Sequence, residues 1–462
     1  MKRRAFLSRT GAALLYSHLG AGRLHALATG SRRRPPNIIF VLADDVSAKE
    51  FSLYGGQGIH TPVLDRMGQG GVFFQTAWTV PVCGPSRCLL RTGRYPYRTQ
   101  YYANQVRPSI PSHRTHIEIP EALREAGYAT LMVGKNHDGT APEEKGYDDW
   151  CIVENWEGYD GTHQSPEWAP PAARERGMYS VQWYFHPALV TPEGGKPTRP
   201  DDFGPDLEVD YLCEFIRQHR DRPFFAYWPT NLPHMMHSAE RKWHYTDVPE
   251  RDAAGRRTGN RVPGSLKSNL EYLDFLLGRI HGELGKQGLA RDTVVFFAGD
   301  NGTAGYGKQR GESEKGPRVP FVVHGPERVP ALGSRPELVD FSDVLPTVVD
   351  LSGTRLPPGY EVDGRSFAPL LRGETFEGRE WIFVQLAEDR WLRDDRWLLD
   401  GNGRFWDCGQ ERDETRGYRD VSDDDAPEVL AARERFQAIL EQIPPIEYDH
   451  PLTRKAWAAY RG

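Results

Sequence analysis

Asn37-Ile38-Ile39-Phe40-Val41-Leu42-Ala43-Asp44-Asp45 decides the fold. The run from Asn37 to Ala43 is apolar without alternation, which suits a strand buried on both faces, as in a parallel sheet. It stops at two carboxylates. The same design recurs downstream, where Thr293-Val294-Val295-Phe296-Phe297-Ala298 leads into Gly299-Asp300-Asn301-Gly302. Neighbouring strand residues point to opposite faces, but at a strand's end both side chains can turn toward one ion. Taken singly, each pair reads as an ordinary turn after a strand. Two buried strands that each end in two oxygen ligands point together to one hard divalent cation.

Two further strands fit the pattern. Tyr128-Ala129-Thr130-Leu131-Met132-Val133 ends in Gly134-Lys135-Asn136-His137, and Pro223-Phe224-Phe225-Ala226-Tyr227-Trp228 runs on to His234. In open α/β sheets, ligands sit beyond the carboxyl ends of the strands. Helical patterns separate the strands. Ile117 to Gly127 has Pro120 near its start and Gly127 at its end, a helix's usual punctuation. Leu266 to Leu284 carries Leu270, Leu273, Leu277, Ile280 and Leu284 at helical spacing. This alternation predicts an α/β fold with a mixed, mostly parallel sheet between helices.

Between the first two strands lies Val82-Cys83-Gly84-Pro85-Ser86-Arg87-Cys88-Leu89-Leu90-Arg91-Thr92-Gly93-Arg94. Cys83 occupies a nucleophile's position, and Arg87 falls one helical turn later on the same face. A lone cysteine is most often a small buried hydrophobe. The carboxylate pairs are what favour chemistry here.

Composition narrows the function. In 462 residues, 58 Lys and Arg face 64 Asp and Glu, for a net charge of −6. No basic footprint for nucleic acid follows from that balance, so an anionic substrate must be held by local cations. At the N-terminus, Lys2-Arg3-Arg4-Ala5-Phe6-Leu7 is a twin-arginine pattern, Ala12-Ala13-Leu14-Leu15 is weakly apolar, and Ala26-Leu27-Ala28 offers a cleavage site. Residues 1–28 therefore read as a twin-arginine signal peptide. They predict export of the folded chain to the periplasm by the twin-arginine machinery, with no stable membrane span. The five cysteines (83, 88, 151, 213, 408) show no metal-ligand spacing. A Cys83–Cys88 disulfide is compatible with an oxidising compartment, but no stabilising framework is implied.

The Cys83-x-Pro85-Ser86-Arg87 segment, ending in Thr92-Gly93-Arg94, resembles the signature of type I sulfatases of the alkaline-phosphatase-like superfamily. Further segments resemble that family in the expected order. They are Asn37 to Asp45, Thr61-Pro62-Val63-Leu64-Asp65, Gly134-Lys135-Asn136-His137, Asp300-Asn301-Gly302, Arg318-Val319-Pro320, Asp343 to Thr347 and Asp363 to Leu371.

The resemblance implies that Cys83 is converted to formylglycine by a formylglycine-generating maturation enzyme. It implies one divalent ion, usually Ca2+, on Asp44, Asp45, Cys83, Asp300 and Asn301. It also gives Arg87 the support of the aldehyde hydrate, Lys135 and Lys308 the contacts to sulfate, and His137 and His234 the proton transfers. Sulfate-ester oxygens are anionic, so cations stabilise the charge that builds on them. The leaving oxygen needs a proton, which His234 beside Lys308 can supply. A sulfated small molecule or carbohydrate is the implied substrate, and a phosphonate or phosphate ester the alternative.

Several segments depart from the family pattern. Gly307 to Pro317 is longer and more charged than usual, which leaves Lys315 or Arg310 as alternatives to Lys308. Asn136 replaces a common tryptophan, and Asp138 either touches substrate or caps the loop, with the cap the preferred reading. Residues 150–204 read as irregular and hold Trp156, Tyr159, Trp168, Trp183, Tyr184 and His186, which either stack on sugar rings or staple the loop. The charged stretch 238–264 suits a rim. Beyond Gly373, Trp381–Leu386 and Trp391–Asp400 read as antiparallel strands and Ala426–Ile443 as a helix. The expected domains are a catalytic one over 37–375 and a small α+β subdomain over 376–462.

Overall fold

The computed structural model describes residues 34–110, 114–137, 140–153, 184–238, 242–409 and 417–461. The stretch 1–28 expected to be a signal peptide, Asp138, and Trp156, Tyr159, Trp168 and Trp183 lie outside them.

A ten-stranded mixed sheet forms the centre. Its middle is Thr293–Gly299, Asn37–Ala43, Phe224–Pro229 and Ala129–Gly134, side by side and all parallel. These are the four apolar runs of the sequence. Ala43 pairs with Gly299 and Leu42 with Pro229, so the four strands end at nearly one level. Ile38, Phe40 and Leu42 join one apolar cluster, and Ile39, Val41 and Ala43 another. That alternation is a strand's twofold period with both faces covered.

The helices Gly204–Gln218 and Leu266–Lys286 pack on the second cluster. The helix Cys83–Thr92 packs on the first, through Leu89 and Leu90. Each fully buried leucine contributes about 1.5–3 kcal/mol over exposure.

The described parts of 150–204 are less irregular than the sequence suggests. Asp149–Val153, Leu189–Thr191 and Gly194–Lys196 extend one edge of the sheet. Strands this short carry too little periodic signal to be read.

A separate five-stranded antiparallel sheet follows, from Ile382–Leu386 to Arg419–Asp420. Its apolar face shares the first cluster with the main sheet. The single strand expected over 391–400 is two, Asp389–Arg393 and Trp397–Leu399. Asp394 breaks it by accepting the backbone N–H groups of Arg396 and Trp397 in a turn. The expected helix is Pro427–Leu440, and a second one, Arg454–Arg461, docks Trp457 against Tyr102. All five cysteines are free thiols, Cys83 and Cys88 included. Among the described residues no helix is long and apolar enough to cross a membrane.

One buried carboxyl makes the fold sensitive to pH. Glu208 accepts a hydrogen bond from Trp228 Nε1 at 2.8 Å, and burial pushes its pKa up to about 7. The folded state thus holds this proton more tightly than the unfolded chain, and stability falls as pH rises from about 4.5 through 7. The loss amounts to about 3 kcal/mol. Glu208→Gln keeps an acceptor for Trp228 and removes the charge. Urea unfolding should find this variant more stable than wild type at pH 8 and equal to it at pH 5. An equal pH dependence in both would contradict the assignment.

Candidate active site and metal centre

Asp44 and Asp45 leave the end of their strand beside Asp300 and Asn301. The backbone fixes this juxtaposition. Asp300 N–H donates to the Ala43 carbonyl at 2.8 Å, and Asp45 N–H to Asp300 Oδ1 at 2.9 Å. Asp45 sits at φ 65°, in the left-handed region. A non-glycine residue in this region is strained, and such strain gathers at functional sites. Two residues beyond each pair, Ser47 and Thr303 bond reciprocally, N–H to hydroxyl, at 2.9 Å both ways. Sequence reading missed this lock. Its only signal is that a hydroxyl follows each pair at the same offset.

The helix Cys83–Thr92 brings its first residue to the same place. Gly84 N–H donates to Asn104 Oδ1 at 3.0 Å, which caps the helix in place of Val82. A Cβ at Gly84 would lie 2.1 Å from Tyr101 Oη, so any side chain after Cys83 would require Tyr101 to shift. Cys83 Sγ lies 3.6 Å from Asp44 Oδ1 and 3.7 Å from Asp45 Oδ1. Donor atoms of Asp44, Asp45, Cys83 and Asp300 all fall within 4.8 Å of one another, and all four residues are buried. Ser86 donates its hydroxyl to the Asp300 carbonyl. Arg87 grips Asp300 Oδ2 with two nitrogens, at 3.0 and 2.7 Å. The Cys-x-Pro-Ser-Arg signature is thus bolted to the second acidic pair.

Three cations close the cluster. Arg87 Nη2 also lies 3.6 Å from Asp44. Lys135 donates to Asp44 Oδ2. Gly134 makes that reach possible, because a Cβ there would meet the Pro229 carbonyl at 2.5 Å. Lys308 donates to Asp45 Oδ2 at 2.8 Å and lies 3.3 Å from His234 Nε2. Of the three alternatives in its loop, Lys308 reaches the cluster. Lys315 turns to Glu312, and Arg310 is exposed.

The longer loop is fastened from the C-terminal sheet. Buried Glu314 accepts from Trp78 Nε1 at 2.8 Å, pairs with Arg393 at 2.9 Å and takes the Tyr418 hydroxyl. Trp391 Nε1 donates to the Ser313 carbonyl at 3.0 Å.

His234 stands against Asp45 Oδ2 at 3.5 Å. Its Nδ1 bonds the Met235 carbonyl. A carbonyl only accepts, so the neutral ring carries its proton on Nδ1 and turns the Nε2 lone pair to Lys308. Tyr184, buried, donates to the carbonyls of Asn231 and His234 at 2.8 and 2.7 Å. It is a staple for this loop rather than a stacking surface. His137 is half-buried, two residues past Lys135. Asn136 donates to the Thr140 carbonyl and accepts from Lys145, and so fixes the same loop.

The electrostatics follow from three carboxylates in a dry site. Burial opposes ionising Asp44, but Lys135, His234 and Arg87 outweigh it and hold the carboxyl well below the usual range. Asp45 is lowered likewise, chiefly by Lys308 and His234 against burial. For Asp300 burial wins, reinforced by the charge of Asp44, and its pKa rises to about 7. Burial drives Cys83 well above the ordinary thiol range despite Lys308, so it is no thiolate at neutral pH. Burial and Lys308 bring His234 down to about 4 against the pull of Asp45.

The donors suit a hard divalent ion. Asn301 Nδ2 donates to Asp45 Oδ1 at 2.7 Å, while its Oδ1 is buried without a hydrogen-bond partner. An amide oxygen and three carboxylates, one of them resisting ionisation, are oxygen ligands of the kind such ions take.

The sulfatase family model matches residues 36–354. Human arylsulfatase A is 30% identical over 406 residues, covering 79% of this chain and 74% of its own. Mouse steryl-sulfatase is 27% identical over 432 residues, 75% of this chain and 66% of its own. Among solved structures, Ps i-CgsB in complex with k-i-k-neocarrahexaose shares the fold, with a TM-score of 0.67 and 21% identity over 92% of this chain and 97% of its own.

Replacing Arg87 by Leu strands Asp300 and Asp44 in the dry site. Urea unfolding should show a loss of about 3–5 kcal/mol. Arg87→Lys should recover only part, because an ammonium cannot reproduce the two-nitrogen grip. A loss below about 1 kcal/mol, as for an exposed pair, would contradict the geometry.

Proposed function

The chain belongs to the sulfatase family of sulfuric ester hydrolases, and from that premise we propose that it hydrolyses the sulfate ester of a carbohydrate at the Asp44–Asp300 cluster. The observation that carries this reading is the buried site where Cys83 Sγ, three carboxylates, Lys135, Lys308 and His234 converge. Asp44, Asp45, Asp300 and Asn301 would hold a divalent ion, Ca2+ by family resemblance, together with the modified Cys83. Bound there, the ion would neutralise sulfate oxygens as a Lewis acid, and formylglycine at position 83 would supply a hydrated aldehyde as nucleophile.

The chain's own residues do the rest. The buried thiol of Cys83 is held protonated, which disfavours direct thiolate attack and suits a residue that acts after conversion. Arg87 keeps Asp300 and the start of the Cys83 helix in register. Lys135 and Lys308 line the cluster with positive charge for an anionic ester. The leaving oxygen takes its proton at the Lys308–His234 pair. His234, helped by Lys308 at 3.3 Å from its Nε2, is the residue we assign to supplying it. His137, on the Lys135 loop, is the residue we assign to removing a proton in the step that releases sulfate. We extend the reading to export through the twin-arginine route into the periplasm, after maturation of Cys83 in the cytoplasm.

Two measurements test this. Enzyme matured with a formylglycine-generating enzyme should turn over 4-nitrophenyl sulfate faster than a 4-nitrophenyl phosphonate monoester. A strong preference for the phosphonate would overturn the sulfatase reading. Ca2+ at a hundred times its Kd should stabilise wild type by about 2.7 kcal/mol. Asp300→Ala should abolish both that gain and turnover. Full activity in Asp300→Ala would refute the metal assignment.

A further inference from the structure

Trp243 stands just outside the proton-donating pair. It lies in the strand Lys242–His244, which pairs antiparallel with Met236–Ser238 immediately after His234. Its ring centroid is 6.5 Å from that of His234, with the planes inclined at 65°. The indole is 49% exposed, and no other tryptophan stands among the exposed large apolar side chains of the described residues. Scattered apolar residues on a surface need no explanation, but a half-exposed indole one ring away from the leaving-group histidine has a specific neighbour.

Geometry links the two. A leaving oxygen that takes its proton at the Lys308–His234 pair lies within hydrogen-bond reach of both. Asp45 and Lys308 already occupy positions 3.5 and 3.3 Å from Nε2, so the alcohol that carries it is directed away from them. The exposed indole of Trp243 packs against the His234 ring, 6.5 Å away between centroids. An exposed aromatic face offers a ring substrate apolar contact area and a π surface at little conformational cost.

We infer that Trp243 is the platform for the ring of the leaving alcohol, the flat face of a pyranose or an aryl group, and that it sets a preference for cyclic over open-chain alcohols. This rests on the sulfatase reading above, which supplies the leaving oxygen. The competing role for Trp243 is to brace its two-stranded ribbon and, through it, His234. The two roles differ in what they do to inorganic sulfate, which occupies the reaction centre but has no ring.

The test uses the full matured enzyme with 4-nitrophenyl sulfate, N-acetylglucosamine 6-sulfate and inorganic sulfate as inhibitor. Trp243→Ala should lower kcat/KM for a ring ester by about tenfold, mainly through KM, the factor that corresponds to one aromatic contact. Trp243→Phe should keep most of it, and the Ki of sulfate should stay within about twofold of wild type, since that anion makes no such contact. Loss with both esters supports a platform shared by both ring types. Loss with one ester alone assigns the platform to that ring. No loss with either, or a sulfate Ki that rises in step with KM, overturns the inference. A wild-type enzyme that turns over neither ester overturns the sulfatase reading itself, and this inference with it.

Discussion

Three buried carboxylates held side by side are the constraint on which the structure depends. Asp44, Asp45 and Asp300 lie close enough that they cannot all ionise without help. Arg87, Lys135 and Lys308 supply three positive charges against three negative, and yet Asp300 remains reluctant. A divalent ion would resolve that reluctance and leave a positive surplus for an anionic ester. The surrounding structure reads as a means of holding these groups together. The strand ends fix the acids, the Cys83 helix brings Arg87, and the loop after Gly134 brings Lys135. The C-terminal sheet fastens the Lys308 loop through buried Glu314 and Arg393.

That last connection gives the second sheet a role at the site. Its apolar face belongs to the same cluster as the Cys83 helix and the main sheet. Ser313, Glu314 and Gly311 are bonded to Asp400, Arg393, Tyr418 and Gly401. The Lys308 loop is therefore tethered from outside. Its charges divide cleanly: Glu312 and Lys315 pair at the surface, and Glu314 turns inward.

Much of this was legible in the sequence. Four unbroken apolar runs became the four central parallel strands, because burial on both faces leaves no room for polar alternation. The acidic pairs and Lys135 lie where strand ends put them. Cys83 and Arg87 share a helical face because their spacing is one turn. Less legible was everything that depends on contacts distant in sequence. The Ser47–Thr303 lock joins residues 256 positions apart. Tyr184 could be a staple or a stacking ring until its hydroxyl met two carbonyls. The short edge strands and the turn at Asp394 carry too few residues to show a period. Trp243 lies in a charged stretch that read only as a rim. The protonation of His234 was beyond reach, because its neutrality comes from burial and from Lys308, neither visible along the chain.

The account's central claim is that Cys83 is the precursor of an aldehyde, not a working thiol. The most direct measurement is the mass of the peptide that contains Cys83, taken from catalytically active protein and repeated after trapping with a hydroxylamine. The expected peptide has the thiol-bearing carbon of Cys83 oxidised to an aldehyde, with loss of the sulfur, and gains the oxime on trapping. An active enzyme whose Cys83 peptide is entirely thiol, and unchanged by the trap, would contradict it.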